Sequence, residues 1–208
     1  MADNVLKDIL LDYLDKELIQ YNFKLNKKLG EFTSKSKEGW KKLQLIFLIR
    51  DEGWEINLGM LIRKDLVENI YHKASYYEPK YHKITPTIGT TIENYINDGK
   101  NHRFCLNSNK DLAFCYTEIL KLFKEIALPF FEKYDRIEEI EKAVNMKNRD
   151  SVFSGIKYGG NIGIILAKLV DNPDYEYGDE DEKDTPKAIR LAYKNKIKIP
   201  VGMIGIFC

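Results

Sequence analysis

The sequence predicts an α+β fold: an antiparallel β-meander with helices packed on one face, followed by a helical C-terminal extension. Three observations predict it. Lys41 to Ile62 holds two runs of strict alternation around a short turn. Asn4 to about Gln20 and Ser108 to Ile126 carry apolar residues at helical spacing. Past residue 148 the chain turns glycine-rich, then acidic, then apolar, with no further alternation.

From the N-terminus, Leu6, Ile9, Leu10, Tyr13, Leu14, Leu18 and Tyr21 recur on one helical face, and Asp3 or Asn4 can cap its start. Residues 23–28 and 31–36 read as short strands around Gly30. In the hairpin, Leu43, Leu45, Phe47 and Ile49 share one face, as do Trp54, Ile56, Leu58, Met60 and Ile62. Only an even loop keeps those two sets together. A two-residue loop at Glu52-Gly53 sets Phe47 opposite Leu58, and a four-residue loop sets it opposite Ile56. The other face, with Lys42, Gln44, Glu55, Asn57 and Arg63, reads as polar.

A short helix is expected over 65–73, a tyrosine-rich loop over 74–87, and a strand over 103–106. Thr90–Ile96 fits strand and helix equally. Ser108 with Asp111 forms a capping box, and Leu112, Cys115, Ile119, Leu122, Phe123 and Ile126 form the buried stripe behind it. Pro129 should kink or stop that helix at Leu128. Asp135 with Glu138 is a second capping signal, and Glu138, Glu139 and Glu141 read as a solvated face. A helix over 164–170, an acidic linker over 171–184 and a last helix from Thr185-Pro186 to about Asn195 complete the chain. Residues 1–148 read as one α+β domain and 149–208 as the extension packed on it.

Composition bounds the function. With 208 residues, 44% hydrophobic and 31% charged residues and a formal charge of +1, the chain is an ordinary globular protein with no global field for nucleic acid. The charge is unevenly spread: residues 24–42 hold seven lysines against Glu31 and Glu38, whereas 171–184 hold eight acids against Lys183. Cys105, Cys115 and Cys208 are odd in number and lack metal spacing. The start has no cationic then apolar leader, and no apolar run reaches the ~18 residues of a membrane span. The expectation is a cytoplasmic protein with reduced thiols, no membrane contact and no cofactor.

Few residues are patterned for chemistry. His72, His82 and His102 have no metal-ligand spacing, although Tyr-His-Lys occurs twice, at 71–73 and 81–83. There is no Gly-x-Ser-x-Gly elbow, and no Glu-x-Lys where a restriction-type nuclease strand needs one. Gly159–Gly163 matches neither dinucleotide nor P-loop patterns. Without such a set the reading is non-enzymatic. Asp179, Glu180, Asp181 and Glu182 are the candidate partner-binding residues, complementary to a basic partner protein. A second reading uses the lysine-rich Lys24–Lys42 and the Tyr71–Lys83 loop, which interleaves tyrosines and lysines, for nucleic acid.

The order of features in residues 5–145 resembles an uncharacterised bacterial domain-of-unknown-function family. The residues carrying it are Tyr21-Asn22-Phe23-Lys24, the strand Trp40–Ile49, Trp54-Glu55-Ile56-Asn57-Leu58-Gly59, Ala127-Leu128-Pro129-Phe130-Phe131, and Tyr134–Val144. The resemblance implies no established activity and transfers no catalytic residue. Families of this build are similar in class to bacterial immunity and antitoxin-type proteins, which implies action by protein contact.

Overall fold

Two twelve-residue strands dominate the structure, a computed structural model that describes residues 4–51, 53–73, 75, 77–145, 153 and 162–172. β3 (Gly39–Arg50) and β4 (Gly53–Lys64) pair antiparallel from Gly39↔Lys64 to Arg50↔Gly53. Phe47 lies opposite Ile56, one of the two registers an even loop allows. Pairing runs one residue pair further toward the tip than a four-residue loop permits, to Arg50↔Gly53, which leaves two positions for the turn. Gly53, at φ 154°, is the residue that makes this possible: a Cβ there would collide with the Asn107 side chain and the Leu106 carbonyl.

β1 (Lys24–Asn26) and β2 (Glu31–Ser36) extend the meander on the β3 side. On the far side β4 carries two short strands end to end, β6 (Phe104–Leu106) against 54–56 and β5 (Ile88–Thr91) against 59–62. The ambiguous stretch is therefore both things in succession: β5 ends at Thr91, whose hydroxyl accepts from the Asn94 N–H and caps α3 (Ile92–Ile96).

The apolar face of the hairpin is covered except toward its tip, where Phe47 is half-buried and Ile49, expected on the same face, is 71% exposed. Leu43, Leu45, Ile56, Leu58, Met60 and Ile62 are buried against α1 (Asn4–Leu18) and α4 (Asn109–Leu122). α1 buries Leu6, Leu10, Leu11, Leu14 and Leu18, while Tyr13 stays on the outer side. The capping box at Ser108 and Asp111 starts α4.

Pro129 neither stops the helical path nor sharply breaks it. The chain widens into a π-helical turn, Phe123–Ala127, in which the Leu128 N–H donates to the Phe123 carbonyl, and then resumes as α5 (Leu128–Lys133). The wider turn accommodates the missing proline N–H, and it keeps Phe123, Ala127, Phe130 and Phe131 facing the core.

α6 (Ile137–Val144) has no side-chain cap: Asp135 is drawn instead to Lys41 at 3.0 Å and Lys64 at 3.2 Å. Glu141 is buried rather than solvated. It accepts from Asn145 Nδ2 at 3.0 Å and Asn172 Nδ2 at 2.6 Å, which ties α6 to the chain around α7 (Gly163–Leu169). α7 packs on α6 and on α2 (Asp65–Tyr71), and Phe153 stacks edge-on against Tyr134. The final predicted helix and the acidic linker beyond Asn172 lie outside the described residues. No helix among the described residues is long and apolar enough to cross a membrane.

Candidate functional site

Strand period two puts Trp40, Lys42, Gln44, Ile46 and Leu48 of β3 beside Glu55, Asn57, Gly59, Leu61 and Arg63 of β4 on the face away from α1 and α4. The polar members are those expected. Between them lie Ile46, Leu48 and Leu61, all half-buried, none packed into the core. They follow a diagonal across two glycines: Ile46 leans over Gly59, and Leu61 fills the space where a Gly89 side chain would sit. An open antiparallel face ordinarily alternates polar residues outward, so three aliphatic side chains in the middle of it are the informative departure.

Ion pairs frame that diagonal. Lys42 and Glu31 meet at 2.8 Å, and Gln44 donates to Glu31 at 3.4 Å. Toward the hairpin tip Glu55 receives Arg50 at 2.9 Å and Arg103 at 3.3 Å, and Arg103 also reaches Glu93 at 3.0 Å. The Arg50 bond, helped by Arg103, holds the Glu55 carboxyl below the usual glutamate range. Apolar centre and charged rim are the composition of a protein contact surface.

At the opposite end the face runs into a buried polar clamp. Arg63, 3% exposed, donates from Nη1 to the Thr85 carbonyl at 2.8 Å and to its hydroxyl at 3.1 Å, and pairs through Nε with Asp65. The Thr85 hydroxyl donates to Glu68 Oε2 at 2.8 Å, and Glu68 is fully buried. Because that hydroxyl has one proton, His72 Nε2 donates to Thr85 Oγ1 at 2.6 Å, and Nδ1 accepts from Ser75 at 2.8 Å in the neutral ring. His82 stacks on His72 with centroids 4.1 Å apart. The set fastens the 77–87 loop onto the sheet. Both ring nitrogens of His72 are engaged in doing so.

Beside the clamp lies a cleft of about 410 Å³ where β2, β3 and β4 run out past the helices. Its cations are Lys35, Lys37, Lys41, Arg63 and Lys64, against Glu38 and Asp135. Lys64 is almost wholly buried and is held by Glu38 at 3.0 Å and Asp135 at 3.2 Å. Asp135 is partly desolvated, which raises its pKa, but Lys41 and Lys64 outweigh this and hold it below the ordinary aspartate range.

Of the residues singled out from sequence, Asp179, Glu180, Asp181 and Glu182 lie outside the described residues. The two nucleic-acid segments are brought together: Trp40 Nε1–H donates to the Lys83 carbonyl at 3.3 Å. Their tyrosines divide, Tyr71 half-buried against the core and Tyr77 and Tyr81 exposed. His102 stands apart with Asp98 at 2.9 Å. Cys115 is buried, its S–H donating to the Cys105 carbonyl, and burial pushes its thiol up to about 11. Among the described residues no group of three or more histidines, cysteines and acids is placed to hold a metal ion.

Sequence reasoning missed the clamp and the aliphatic diagonal. Glu68 and His72, four apart on one helix, were the available signal for the first; Ile46 and Leu48, which interrupt the polar side of β3, were the signal for the second. No family model, curated protein or solved structure matches the chain.

Proposed function

We propose that the protein is a non-enzymatic protein-interaction module, of the class of bacterial immunity or antitoxin-like neutralisers, and that it meets its partner through the outer face of the sheet. The observation that carries this reading is the aliphatic diagonal Ile46, Leu48 and Leu61 set inside a rim of ion pairs. Covering what remains exposed of such side chains yields roughly 25 cal/mol per Å². The framing charges add orientation and rate more than affinity. In this reading Asp179, Glu180, Asp181 and Glu182 steer a basic partner onto the molecule, and the resemblance of residues 5–145 to a bacterial family of unknown function is consistent with action by contact.

Ile46→Asp combined with Leu48→Asp tests it, since both side chains lie outside the core and the variant is expected to keep its thermal midpoint within a few degrees. Tagged wild-type protein should retain a discrete partner from an extract of its native host, and the double variant should lose it. Capture of the same partner by both proteins, at equal yield, would falsify the assignment of this face.

A further inference from the structure

We infer that the cleft at the end of the sheet, with the Tyr77–Lys83 loop fastened beside it, binds single-stranded nucleic acid. This surface lies at the end of the sheet face that carries the aliphatic diagonal, and Lys42, register partner of Leu61, borders both. The inference is tested through Lys35, Lys37, Lys83 and Tyr81, none of which belongs to the diagonal.

The grounds are a juxtaposition that the chain order hides. Lys35 to Lys41 and Tyr77 to Lys83 are remote in sequence, yet the Trp40 indole donates to the Lys83 carbonyl, and Arg63, register partner of Trp40, donates to the Thr85 carbonyl. Register places Lys35, Trp40 and Arg63 on one face with Lys42, and the Trp40 bond seats the loop that carries Tyr77, Tyr81 and Lys83 beside them. Trp40 lines the cleft with Lys42 Nζ 4.7 Å from its ring centroid; Tyr81, 41% exposed, has Lys80 Nζ at 4.8 Å; Tyr77 is 48% exposed. Lys35, Lys37 and Lys83 stand exposed around them.

Aromatic rings set beside ammonium groups suit a single strand, in which each base face lies within reach of a phosphate. A duplex hides its base faces, so the rings would have nothing to stack on. The cations outnumber the carboxylates five to two in the cleft. Lys41 and Lys64 are balanced by Asp135 and Glu38, and Arg63 is paired with Asp65 and Glu68, which leaves Lys35, Lys37 and Lys83 as the groups that release counterions from a strand.

Fluorescence anisotropy of the full chain with labelled oligo-dT and oligo-U of about twelve nucleotides tests this. Saturable binding is expected at about 25 mM salt, with log K falling against log salt at a slope of about −2, the value for three phosphates on a single strand. Lys35→Ser, Lys37→Ser and Lys83→Ser together should weaken binding about tenfold or more and flatten the slope. Tyr81→Ala should weaken it at least about fivefold while leaving the slope in place. A duplex of the same length should bind more weakly than either single strand. The inference is overturned by absence of saturable binding at low salt, or by a triple lysine variant that binds like wild type. It is equally overturned if Tyr81→Ala is without effect and poly-aspartate displaces the oligonucleotide at equal charge, because the site would then be one for acidic protein.

Discussion

Arg63→Ala is expected to destabilise the fold by about 3–5 kcal/mol, the cost of breaking a buried ion pair by removing one partner. Arg63 is 3% exposed and Glu68 is fully buried, so no solvent stands ready to replace the guanidinium. The truncation takes away the donor to the Thr85 carbonyl and the countercharge 3.8 Å from Glu68 Oε2. Urea unfolding should show a lower midpoint at unchanged slope, because the surface exposed on unfolding barely changes. Amide exchange should accelerate across 77–87 before anywhere else, since the clamp is what holds that loop to the sheet. Arg63→Lys keeps the charge but not the fork that serves Asp65 and Thr85 together, and should fall between the two proteins. A loss below about 1 kcal/mol for Arg63→Ala would show that the clamp contributes no more than a surface pair.

Phe130→Ala should cost a similar amount, about 3–5 kcal/mol, for a different reason. Phe130 is fully buried and its ring meets Tyr95, Phe131, Tyr134 and Phe153, at centroid distances from 4.9 to 6.3 Å. It joins α3 on the strand side to Phe153 in the chain beyond α6. Removing it opens a cavity at the centre of that aromatic cluster. The thermal midpoint should drop by roughly 10 °C, given the 2–4 °C per kcal/mol typical of this chain length. Phe130→Leu, which keeps most of the volume, should recover more than half of the loss. Equal effects of the two substitutions would point to the aromatic contacts and not the cavity as the source.

The features legible in the sequence are local ones. The capping box at Ser108, the strands around Gly30 and the register of the hairpin each depend on a handful of adjacent residues, and each is present in the structure. The meeting of Phe47 with Ile56 is one of two alternatives that the alternation alone leaves open. Where a side chain has a choice between a local and a remote partner, local reasoning fails. Asp135 leaves the helix it could cap for Lys41 and Lys64, and Glu141 turns from solvent to Asn145 and Asn172. Pro129 reads as a helix breaker because its lost donor is a local fact. The π turn that absorbs it is favoured by four apolar side chains that need to stay in the core. The clamp draws on positions 63, 68, 72 and 85, and only tertiary structure brings Thr85 to the other three. The acidic residues singled out for a partner, Asp179 to Glu182, lie outside the described residues.

The outer face is where the proposed function resides, and site-resolved photo-crosslinking in the native host interrogates it directly. A photoreactive residue at position 48 or 61 samples the aliphatic diagonal, while one at Leu29, 54% exposed in the β1–β2 turn, serves as the control. The expected result is one discrete adduct with a different polypeptide from positions 48 and 61, absent from position 29. Adducts of the same pattern from all three positions, none from the diagonal, or an adduct with a second copy of this chain alone would contradict a neutraliser that works through this face.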